Sequence, residues 1–321
     1  MNPSTGSSAL RLGISACLLG DEVRYDGGHK RDANLIDRLG PFVEWIKVCP
    51  EVECGMGTPR EPIRLVNQAG RIRLLAVKTG LDHTDRMTSY AQTRVDQLAL
   101  EDLCGYVLKK NSPSCGMTGV TVYGSSSRRR PPVRSGAGLF AAALMARFPD
   151  LPVEEEDRLE DPLVREHFIE RAFAYRRLRR LFRPRWTIGD LVRFHTAHKL
   201  VLMAHSLAAY GRLGRLVARA KEMPRDTIRS SYSTAFMAAL GLIATRARHT
   251  NVLQHMIGYF KRTLDDDSRA ALLAAIEDYR QALVPLDVPL ALIRDLVRQH
   301  DVHYLAGQVY LEPHPLRQPR S

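Results

Sequence analysis

The stretch Gly105-Tyr-Val-Leu-Lys-Lys-Asn-Ser-Pro-Ser-Cys115 decides the fold of the first half of the chain. Its apolar run at 106–108 is typical of a buried strand, and the polar turn that follows ends in a cysteine. Two other apolar runs end in the same way, at Cys17 and at Cys49. Ligands of open parallel sheets bind outside the carboxyl ends of the strands, so we expect the three thiols to converge at one edge of a sheet.

The region around this stretch alternates short apolar runs with helical spacing from residue 11 to residue 148. Such alternation is typical of a parallel α/β sheet. The pattern predicts strands over 11–17, 42–49, 72–79, 105–110 and 120–123. It also predicts helices over 33–39, from an N-cap at Asp82 to about 103, and over 138–147. We therefore expect a parallel, Rossmann-like, three-layer α/β domain.

The second half of the chain has no strand signals. A segment rich in proline and acid at 149–156 is typical of a linker. Beyond it, apolar residues recur at helical spacing over 161–181, 187–221, 227–263, 268–283 and 289–308, which predicts an all-α domain. The expected organisation is a disordered N-terminus at 1–10, an α/β catalytic domain at 11–150, a linker at 151–160, a helical domain at 161–312 and a tail at 313–321.

Composition and charge limit the class of protein. The 321 residues suffice for two domains, and a hydrophobic content of 45% suits a globular protein. No apolar run approaches the ~20 residues that span a bilayer, and the first residues lack the pattern of a secretory signal, so we expect a cytoplasmic protein without membrane contact. The net charge of +12 favours a polyanionic partner such as nucleic acid.

The five cysteines favour metal binding or catalysis over disulfides, because cytoplasmic thiols are kept reduced. Their spacing alone is a weak signal. No close Cys-x-x-Cys pair is present, and the nearest pair is Cys49 and Cys54. From spacing, a metal site, reactive thiols and buried thiols all remain open.

The residues that flank the thiols carry a specific resemblance. The motifs are Ser15-Ala-Cys-Leu-Leu-Gly20, Arg24-Tyr-Asp-Gly27, Val48-Cys-Pro-Glu51, Thr58-Pro-Arg-Glu-Pro62 and Lys109-x-x-Ser-Pro-Ser-Cys-Gly116. As a set and in this order, the N-terminal motifs resemble those of the thiouracil desulfidase family. The second half resembles the helical domain fused to that module in desulfidases of 4-thiouridine in transfer RNA. It does so through Phe194-His-x-x-His-Lys-Leu200, Arg248-His-Thr-Asn-Val-Leu-x-His255, Gly258-Tyr-Phe-Lys261 and Tyr304-x-x-x-Gln-x-Tyr-Leu311.

The resemblance implies a [4Fe–4S] cluster held by Cys17, Cys49 and Cys115, with the fourth iron left open for a thiocarbonyl sulfur. It implies conversion of 4-thiouridine in transfer RNA to uridine, by hydrolysis and with release of sulfide. Transfer RNA is then the expected partner, and no protein partner is implied. Desulfidation of free thiolated bases or nucleosides is an alternative. A non-catalytic RNA-binding protein with a metal centre is another.

The same resemblance assigns roles around the cluster. Glu51 would be the general acid or base, and Ser112, or less readily Ser114, would position the base or the attacking water. Asp26 either contacts substrate or shapes an Asp-Gly turn. Independently of the resemblance, one interpretation of Thr58-Pro-Arg-Glu-Pro62 is a rigid loop in which Arg60 pairs with Glu61 or Asp26.

Two further thiols need separate interpretations. Cys54 stands where the family pattern leads us to expect a glycine-rich run. It is a spare thiol, a substitute ligand or a fourth ligand that would close the open iron. Cys104 lies on the apolar face at the end of a predicted helix, where cysteine behaves as a small hydrophobe.

Several basic and aromatic residues are candidates for RNA contact, each with an alternative as an exposed or packed side chain. An arginine run with interleaved aromatics spans 171–185, a basic loop spans 124–132, and two predicted helix faces carry histidines or a polar stripe. A metal site on the histidine face is a further alternative. The candidates are Arg128, Arg129, Arg130, Arg176, Arg177, Arg179, Arg180, His195, Lys199, Arg248, Asn251, His255 and Tyr259.

Overall fold

The computed structural model describes residues 9–124, 132–261 and 263–317. The chain divides into two compact units, Met1–Ala172 and Phe173–Ser321. The division falls after Ala172 and not within the predicted linker at 151–160. Most of the predicted disordered N-terminus lies outside the described residues, but Leu10 already opens the first strand.

The first unit is built on a sheet of four parallel strands in the order β2-β1-β5-β8. These strands are β1 (Leu10–Ser15), β2 (Val43–Val48), β5 (Gly105–Leu108) and β8 (Val153–Glu155). All four residues of β5 are buried, because the strand lies between β1 and β8. The predicted α/β class of this domain is confirmed.

A second, mixed sheet was not predicted. Its order is β4-β3-β6-β7, formed by β3 (Ile63–Gln68), β4 (Arg71–Ala76), β6 (Val120–Gly124) and β7 (Val133–Gly136). Strands β3 and β4 form an antiparallel hairpin whose turn residues Ala69 and Gly70 both have positive φ, as a tight hairpin turn requires. The predicted strand at 72–79 therefore belongs to this hairpin, since a strand pattern does not state which sheet it joins.

The helices of the first unit are close to the predicted ones. They are α1 (Ala33–Leu39), α2 (Pro50–Glu53), α3 (Thr84–Leu98) and α4 (Leu139–Arg147). The predicted helix at 33–39 is confirmed in full. Helix α3 begins after Asp82, whose carboxylate accepts a hydrogen bond from the Thr84 amide at 2.8 Å, and it ends short of the predicted residue 103.

The predicted linker is corrected by the structure. Residues 153–155 form strand β8, which pairs with β5, and the side chains of Glu154, Glu155 and Glu156 are buried. Proline and acidic residues are typical of exposed connections, but here two of the carboxylates accept backbone hydrogen bonds from the loop that carries Cys115. Those bonds compensate for the loss of water around the buried charges.

The second unit is helical, which confirms the predicted all-α class. The helices of this half are α5 (Pro162–Leu181), α6 (Ile188–Ala197), α7 (Lys199–His205), α8 (Leu207–Ala218), α9 (Arg225–Leu240), α10 (Arg246–Ile257), α11 (Asp266–Arg280), α12 (Asp287–Gln299) and α13 (His303–Ala306). Their core includes Tyr232, Phe236 and Leu253. Across the described residues, none of the helices combines the length and the hydropathy that crossing a bilayer requires.

Three long predicted helices are each divided. The predicted helix at 187–221 becomes α6, α7 and α8, because His198 and Ser206 leave the helical conformation. Ser206 is extended, and its hydroxyl accepts a hydrogen bond from the Ala209 amide, so it caps α8. Thr245 caps α10 in the same way. Apolar spacing continues across such breaks, which is why the periodicity did not reveal them. The predicted tail also begins too early, because Pro315–Arg317 forms a helical turn.

Candidate active site

Three cysteines follow three neighbouring strands of the parallel sheet. Cys17 lies in the turn directly after β1, Cys49 is the N-cap of α2 directly after β2, and Cys115 lies in a tight turn after β5. Since β2, β1 and β5 are adjacent and parallel, their carboxyl ends meet at one edge. All three cysteines line one cavity of about 370 Å³ at that edge, together with Glu51, Arg60 and Ser112.

The turn that carries Cys115 is held by its own hydrogen bonds. The Ser112 hydroxyl accepts hydrogen bonds from the amides of Ser114 (3.2 Å) and Cys115 (3.0 Å). Gly116 closes the turn, and a Cβ at this position would lie 2.4 Å from Val120 Cγ2. Ser112 therefore fixes the direction of the Cys115 backbone while its side chain lines the cavity.

Two buried glutamates, one at the end of strand β8 and one directly after it, bind the same loop. Glu156 accepts a hydrogen bond from the Lys110 amide at 2.8 Å and forms an ion pair with Lys109. Glu155 accepts one from the Met117 amide at 2.8 Å. Residues 153–156, which the sequence assigned to a linker, thus brace the loop of Cys115 and belong to the site.

Glu51 is held by Arg60 and not left free in the cavity. Arg60 Nε donates to Glu51 Oε2 at 2.9 Å, Nη2 donates to the same oxygen, and the pair is largely buried. Arg60 also donates to the carbonyls of Gly57 (2.8 Å) and Val23 (2.9 Å). The predicted pairing of Arg60 with Glu61 or Asp26 is therefore wrong. The Glu51 carboxylate keeps one oxygen, Oε1, to which Arg60 donates no hydrogen bond.

The thiols influence one another electrostatically. The pKa of Cys17 is raised to about 11, chiefly by burial and next by the charge of Cys49, while Lys109 and Arg24 act to lower it. Burial also raises the pKa of Cys115, with added contributions from Glu51, Cys49 and Cys17. The pKa of Cys49 is raised chiefly by burial. The three thiols would therefore repel one another as thiolates.

The donor set fits an iron–sulfur cluster better than a single ion. Among the described residues, no three Cys, His, Asp or Glu side chains come close enough to hold one metal ion. Three soft thiolates around a cavity of about 370 Å³ suit a larger inorganic core, which clusters of iron and sulfide provide. Lys109 and Arg24 supply positive charge beside Cys17, as an anionic cluster requires.

Of the other predicted catalytic residues, some line the cavity and others do not. Ser112 lines the cavity, whereas Ser114 is fully buried with a hydroxyl that has no partner among the described residues. Asp26 is exposed and accepts a hydrogen bond from the Gly28 amide at 3.1 Å, so it shapes the Asp-Gly turn. The structure brings Glu51 and Ser112 to the thiols and does not bring Ser114 or Asp26 into the cavity lining.

Cys54 and Cys104 lie outside the cavity lining. Cys54 is buried in an apolar cluster with Leu65, Leu74, Met87 and Val120, and its thiol is 3.4 Å from the Glu51 carbonyl. Cys104 is buried at 2% exposure. The interpretation of both as spare or structural thiols is the one that these surroundings support.

The residues predicted to contact RNA have varied surroundings. His195 lies 3.1 Å from the Tyr232 hydroxyl, and His198 and His205 are buried against backbone carbonyls. Arg248 donates to the His205 carbonyl at 2.6 Å, while Asn251 is exposed. The histidine face of the sequence pattern is thus mainly a packing surface.

Three of the residues predicted to contact RNA, Lys199, His255 and Tyr259, lie close to one another in the helical unit. Tyr259 stacks on Tyr304 with ring centroids 4.8 Å apart, Lys199 lies over the Tyr304 ring, and His255 meets Tyr259 edge-on. Sequence analysis did not select Tyr304 as a site residue, although the motif that begins with it was noticed.

The predicted arginines are divided among several contacts. Arg176 lies over the Phe173 ring and Arg179 over the Tyr175 ring, while Arg177 donates to His198 and to the Pro313 carbonyl. Arg180 lines an open cavity of the helical unit. Arg128, Arg129 and Arg130 lie outside the described residues.

Sequence reasoning missed two contributors to the site. The Arg60 contact with Glu51 joins residues that are nine positions apart and lie in different motifs. The Glu156 contact with Lys109 spans 47 positions. The only signal in the sequence was the presence of both arginine and glutamate in the motif set, which does not identify the partners.

Comparison with known proteins separates the two halves of the chain. A family model for 2-thiouracil desulfurase matches residues 12–156, and a model for a family described as a protein of unknown function, DUF1722, matches residues 199–315. The chain is 36% identical over 146 residues to the uncharacterized protein YbgA of Escherichia coli K12, covering 45% of this chain and 86% of that protein. It is 31% identical over 136 residues to the uncharacterized protein YbbK of Bacillus subtilis 168, covering 41% and 87%.

A solved structure of a [4Fe–4S]-dependent thiouracil desulfidase, TudS, is 32% identical and covers 47% of this chain and 94% of that one, with a TM-score of 0.38. The likeness of the helical half to transfer RNA desulfidases stays a prediction, because the description of its matching family assigns no function. Through residues 12–156, which carry the three cysteines, Glu51 and Ser112, the chain belongs to the 2-thiouracil desulfurase family.

Proposed function

We propose that the chain is a desulfidase that removes sulfur from thiolated pyrimidine bases at an iron–sulfur cluster held by Cys17, Cys49 and Cys115. The observation that carries this proposal is the convergence of these three thiols, from three adjacent strands, on one cavity with Glu51 and Ser112. Membership of the 2-thiouracil desulfurase family supports the reaction class.

Cys17, Cys49 and Cys115 would hold a [4Fe–4S] cluster, and its fourth iron would supply Lewis-acid polarisation of the thiocarbonyl bond. The remaining work falls to side chains of the chain itself. The Glu51 carboxylate takes a proton from water as the oxygen adds to the ring carbon, and it returns the proton as sulfur leaves. The carbon–sulfur double bond of the base is replaced by a carbon–oxygen double bond. One water molecule is consumed, and the sulfur leaves as hydrogen sulfide. No electron donor is needed.

Arg60 and Ser112 position the groups that take part in this reaction. Arg60 fixes the Glu51 side chain through two nitrogens that donate to one oxygen, so the other oxygen is available to water. The Ser112 hydroxyl already accepts two backbone hydrogen bonds, and it therefore has its proton left to donate to a base or a water in the cavity. Both side chains line the cavity that the thiols share.

The primary substrate class that we propose is the free thiolated base, such as thiouracil. A thiolated RNA, with 4-thiouridine in transfer RNA as the first candidate, is the second. It is favoured by the net charge of +12 and by an arginine-lined cavity in the helical unit. Comparing kcat/KM for 4-thiouracil and for thiolated transfer RNA decides between them.

The proposal is tested by anaerobic reconstitution with iron and sulfide, followed by incubation with 4-thiouracil. We expect loss of the near-ultraviolet absorbance of the thiobase and release of an equal amount of sulfide. Replacement of any of the three cysteines by serine should reduce bound iron. Glu51→Gln should keep the iron and lower kcat by about 10²–10⁴-fold, the usual contribution of a general acid or base.

Persistent absorbance with a fully loaded cluster would contradict the proposal for free bases, and the same result with thiolated transfer RNA would reject desulfidation altogether. The non-catalytic alternative, an RNA-binding protein with a metal centre, requires that Glu51→Gln be without effect and that no sulfide appear.

A further inference from the structure

Asn111 lines the cavity that the three cysteines share and is itself exposed, so it lies where that cavity opens. It directly precedes Ser112, at the start of the turn that carries Cys115. Its φ is +58°, in the left-handed region that asparagine adopts more readily than most residues with a side chain. The backbone thus presents an amide side chain at this point, and the reaction described above gives that amide no role.

A hydrogen bond from β7 fixes the orientation of this amide. Arg134 Nη2 donates to Asn111 Oδ1 at 2.6 Å, and Arg134 Nε donates to the Gly119 carbonyl at 3.3 Å. A guanidinium only donates hydrogen bonds, so the oxygen of the Asn111 side chain faces Arg134 and the nitrogen points elsewhere. Nδ2 keeps two N–H groups, and among the residues that the structure describes none accepts a hydrogen bond from them.

Most charged side chains of the cavity lining already have a partner. The pairs are Glu51 with Arg60, Lys109 with Glu156, Lys110 with Asp157 and Arg24 with Asp26. Lys30 also lines the cavity, but an ammonium on a flexible stem imposes little direction on a ligand. The Ser112 hydroxyl and the Asn111 amide, by contrast, are neutral donors of fixed position that follow one another in the chain.

A fixed N–H donor in this cavity distinguishes bases by the group that faces it. In both 2-thiouracil and 4-thiouracil, the sulfur and the remaining exocyclic oxygen flank the N3–H group of the ring. A base that directs its sulfur towards the three cysteines therefore places its oxygen at the equivalent position in either isomer. The donor bonds that oxygen, whereas it meets another N–H group when an amino group replaces the oxygen, as in 2-thiocytosine.

We propose that Asn111 is a specificity-determining residue that donates through Nδ2 to the exocyclic oxygen of a thiolated pyrimidine, and that Arg134 positions it. The site then takes thiobases that retain an oxygen beside N3 and disfavours those with an amino group there. This inference rests on the proposed desulfidase function and specifies its substrates. It applies to free 4-thiouracil and to 4-thiouridine in RNA alike, since both carry the oxygen at C2.

Two replacements remove the donor without opposing the backbone conformation. Asn111→Gly deletes the amide and suits a positive φ, so the turn should be retained. Asn111→Asp is nearly isosteric, keeps an oxygen for Arg134 and replaces the N–H groups by a second acceptor. Asn34→Asp on α1 is the matched control, because Asn34 is exposed, lies outside the cavity lining and gains the same charge.

The first measurement is sulfide release by the reconstituted full chain from 2-thiouracil and from 2-thiocytosine. The parent should have a kcat/KM about tenfold or more higher for 2-thiouracil. Asn111→Gly should raise KM for 2-thiouracil about tenfold with little change in kcat, because the lost hydrogen bond is common to substrate and transition state. Asn111→Asp should move the ratio of the two kcat/KM values towards 2-thiocytosine by about tenfold or more, and Asn34→Asp should leave it unchanged.

The second measurement is binding without turnover, by equilibrium dialysis of 2-thiouracil against the cluster-loaded Glu51→Gln protein. Adding Asn111→Gly should weaken this binding about tenfold, and adding Asn34→Asp should not. If the parent releases no sulfide while this difference persists, the desulfidase function fails and the base recognition stands. If sulfide is released but neither Asn111 variant alters KM, binding or the ratio for the two bases, the inference is overturned and the desulfidase function stands. Absence of both sulfide and binding would overturn both.

Discussion

At the scale of the residue, Cys49 and Cys54 stand five positions apart and have opposite surroundings. Cys49 lines the cavity, whereas Cys54 packs with Leu65 and Met87. The departure from the family pattern at this position left Cys54 open as a spare thiol, a substitute ligand or a fourth ligand. The short helix α2 between the two residues turns their side chains apart, and a motif comparison without coordinates contains no such information.

The two thiols should respond differently to replacement by serine. Cys54→Ser should retain the full iron content, and it should lower the free energy of unfolding by about 1–3 kcal/mol, because a hydroxyl is then buried among apolar side chains. Cys49→Ser should lose iron. Iron assay and urea unfolding of both variants measure these effects. Loss of iron from Cys54→Ser would instead identify Cys54 as a ligand.

The raised thiol pKa values predict a dependence of stability on pH in the iron-free protein. The pKa of Cys17 is about 11 when folded and near its ordinary value of 9.0 when unfolded, so the folded state holds the proton more tightly. Its contribution is constant below pH 9 and is lost as pH rises from 9 towards 11. The slope from one thiol is at most about 1.4 kcal/mol per pH unit.

Urea unfolding of the iron-free protein at pH 8, 9 and 10 measures this loss. Cys17→Ala is the control, since other titrating groups are shared, and its stability should fall less steeply over the same interval. Parallel curves for the two proteins would show that the Cys17 thiol does not titrate as its burial requires.

At the scale of the element, the sequence was sufficient to predict the strands that are buried on both faces and the helices that have clear caps. The runs that became β1, β2 and β5 were predicted, and so was the convergence of their cysteines. The hairpin β3-β4 was only partly found, because its alternation is weak and its turn uses Ala69 with positive φ in place of a typical turn residue. Sheet membership depends on long-range pairing, which no local pattern encodes.

Strand β8 is the clearest failure of local reasoning, and the reason is electrostatic. Three consecutive glutamates indicate an exposed segment unless their partners are known. Here the partners are Lys109 and the amides of Lys110 and Met117, all of them distant in sequence. A buried acidic strand can be recognised only once its donors are placed.

Removal of the Glu156 carboxylate should therefore be costly. Glu156→Ala leaves the Lys109 ammonium largely buried without its partner and frees the Lys110 amide, so the free energy of unfolding should fall by about 3 kcal/mol or more. Iron content should fall as well, because the Cys115 turn loses a brace. Thermal unfolding and iron assay provide the two measurements.

Asp157→Ala is the matched control for this element. Asp157 pairs with Lys110 in a more exposed ion pair, whose two side chains are 34% and 40% accessible. Pairs of that kind contribute about 0–1 kcal/mol. Similar losses in the two variants would mean that β8 contributes through its backbone and not through the Glu156 carboxylate.

At the scale of the whole molecule, an α/β unit with a thiol-lined cavity and an arginine-rich helical unit occur in one chain with a net charge of +12. The charge predicted a polyanionic partner, and the structure concentrates part of it in the arginine-lined cavity. The sequence does not predict which arginines line this cavity, because several arginines of the run instead lie over aromatic rings of their own helix.

The two candidate substrates should differ in their response to salt. For 4-thiouracil, which is uncharged, kcat/KM should change little between 50 and 200 mM salt. For thiolated transfer RNA, kcat/KM should fall about tenfold or more over that range if several phosphates are contacted. Steady-state sulfide release at fixed pH measures both. Equal salt dependence for the two substrates would argue against a role of the helical unit in catalysis.

The neighbouring positions of β2, β1 and β5 also bear on how the protein is made in the cell. The thiols at 17, 49 and 115 meet only after the sheet has formed, and the brace on the third thiol arrives with residues 155 and 156. A nascent chain that is still emerging from the ribosome therefore has separate thiols and no assembled binding site. Delivery of iron would be the closing step of maturation, and a shortage of the metal would leave behind a folded but empty precursor.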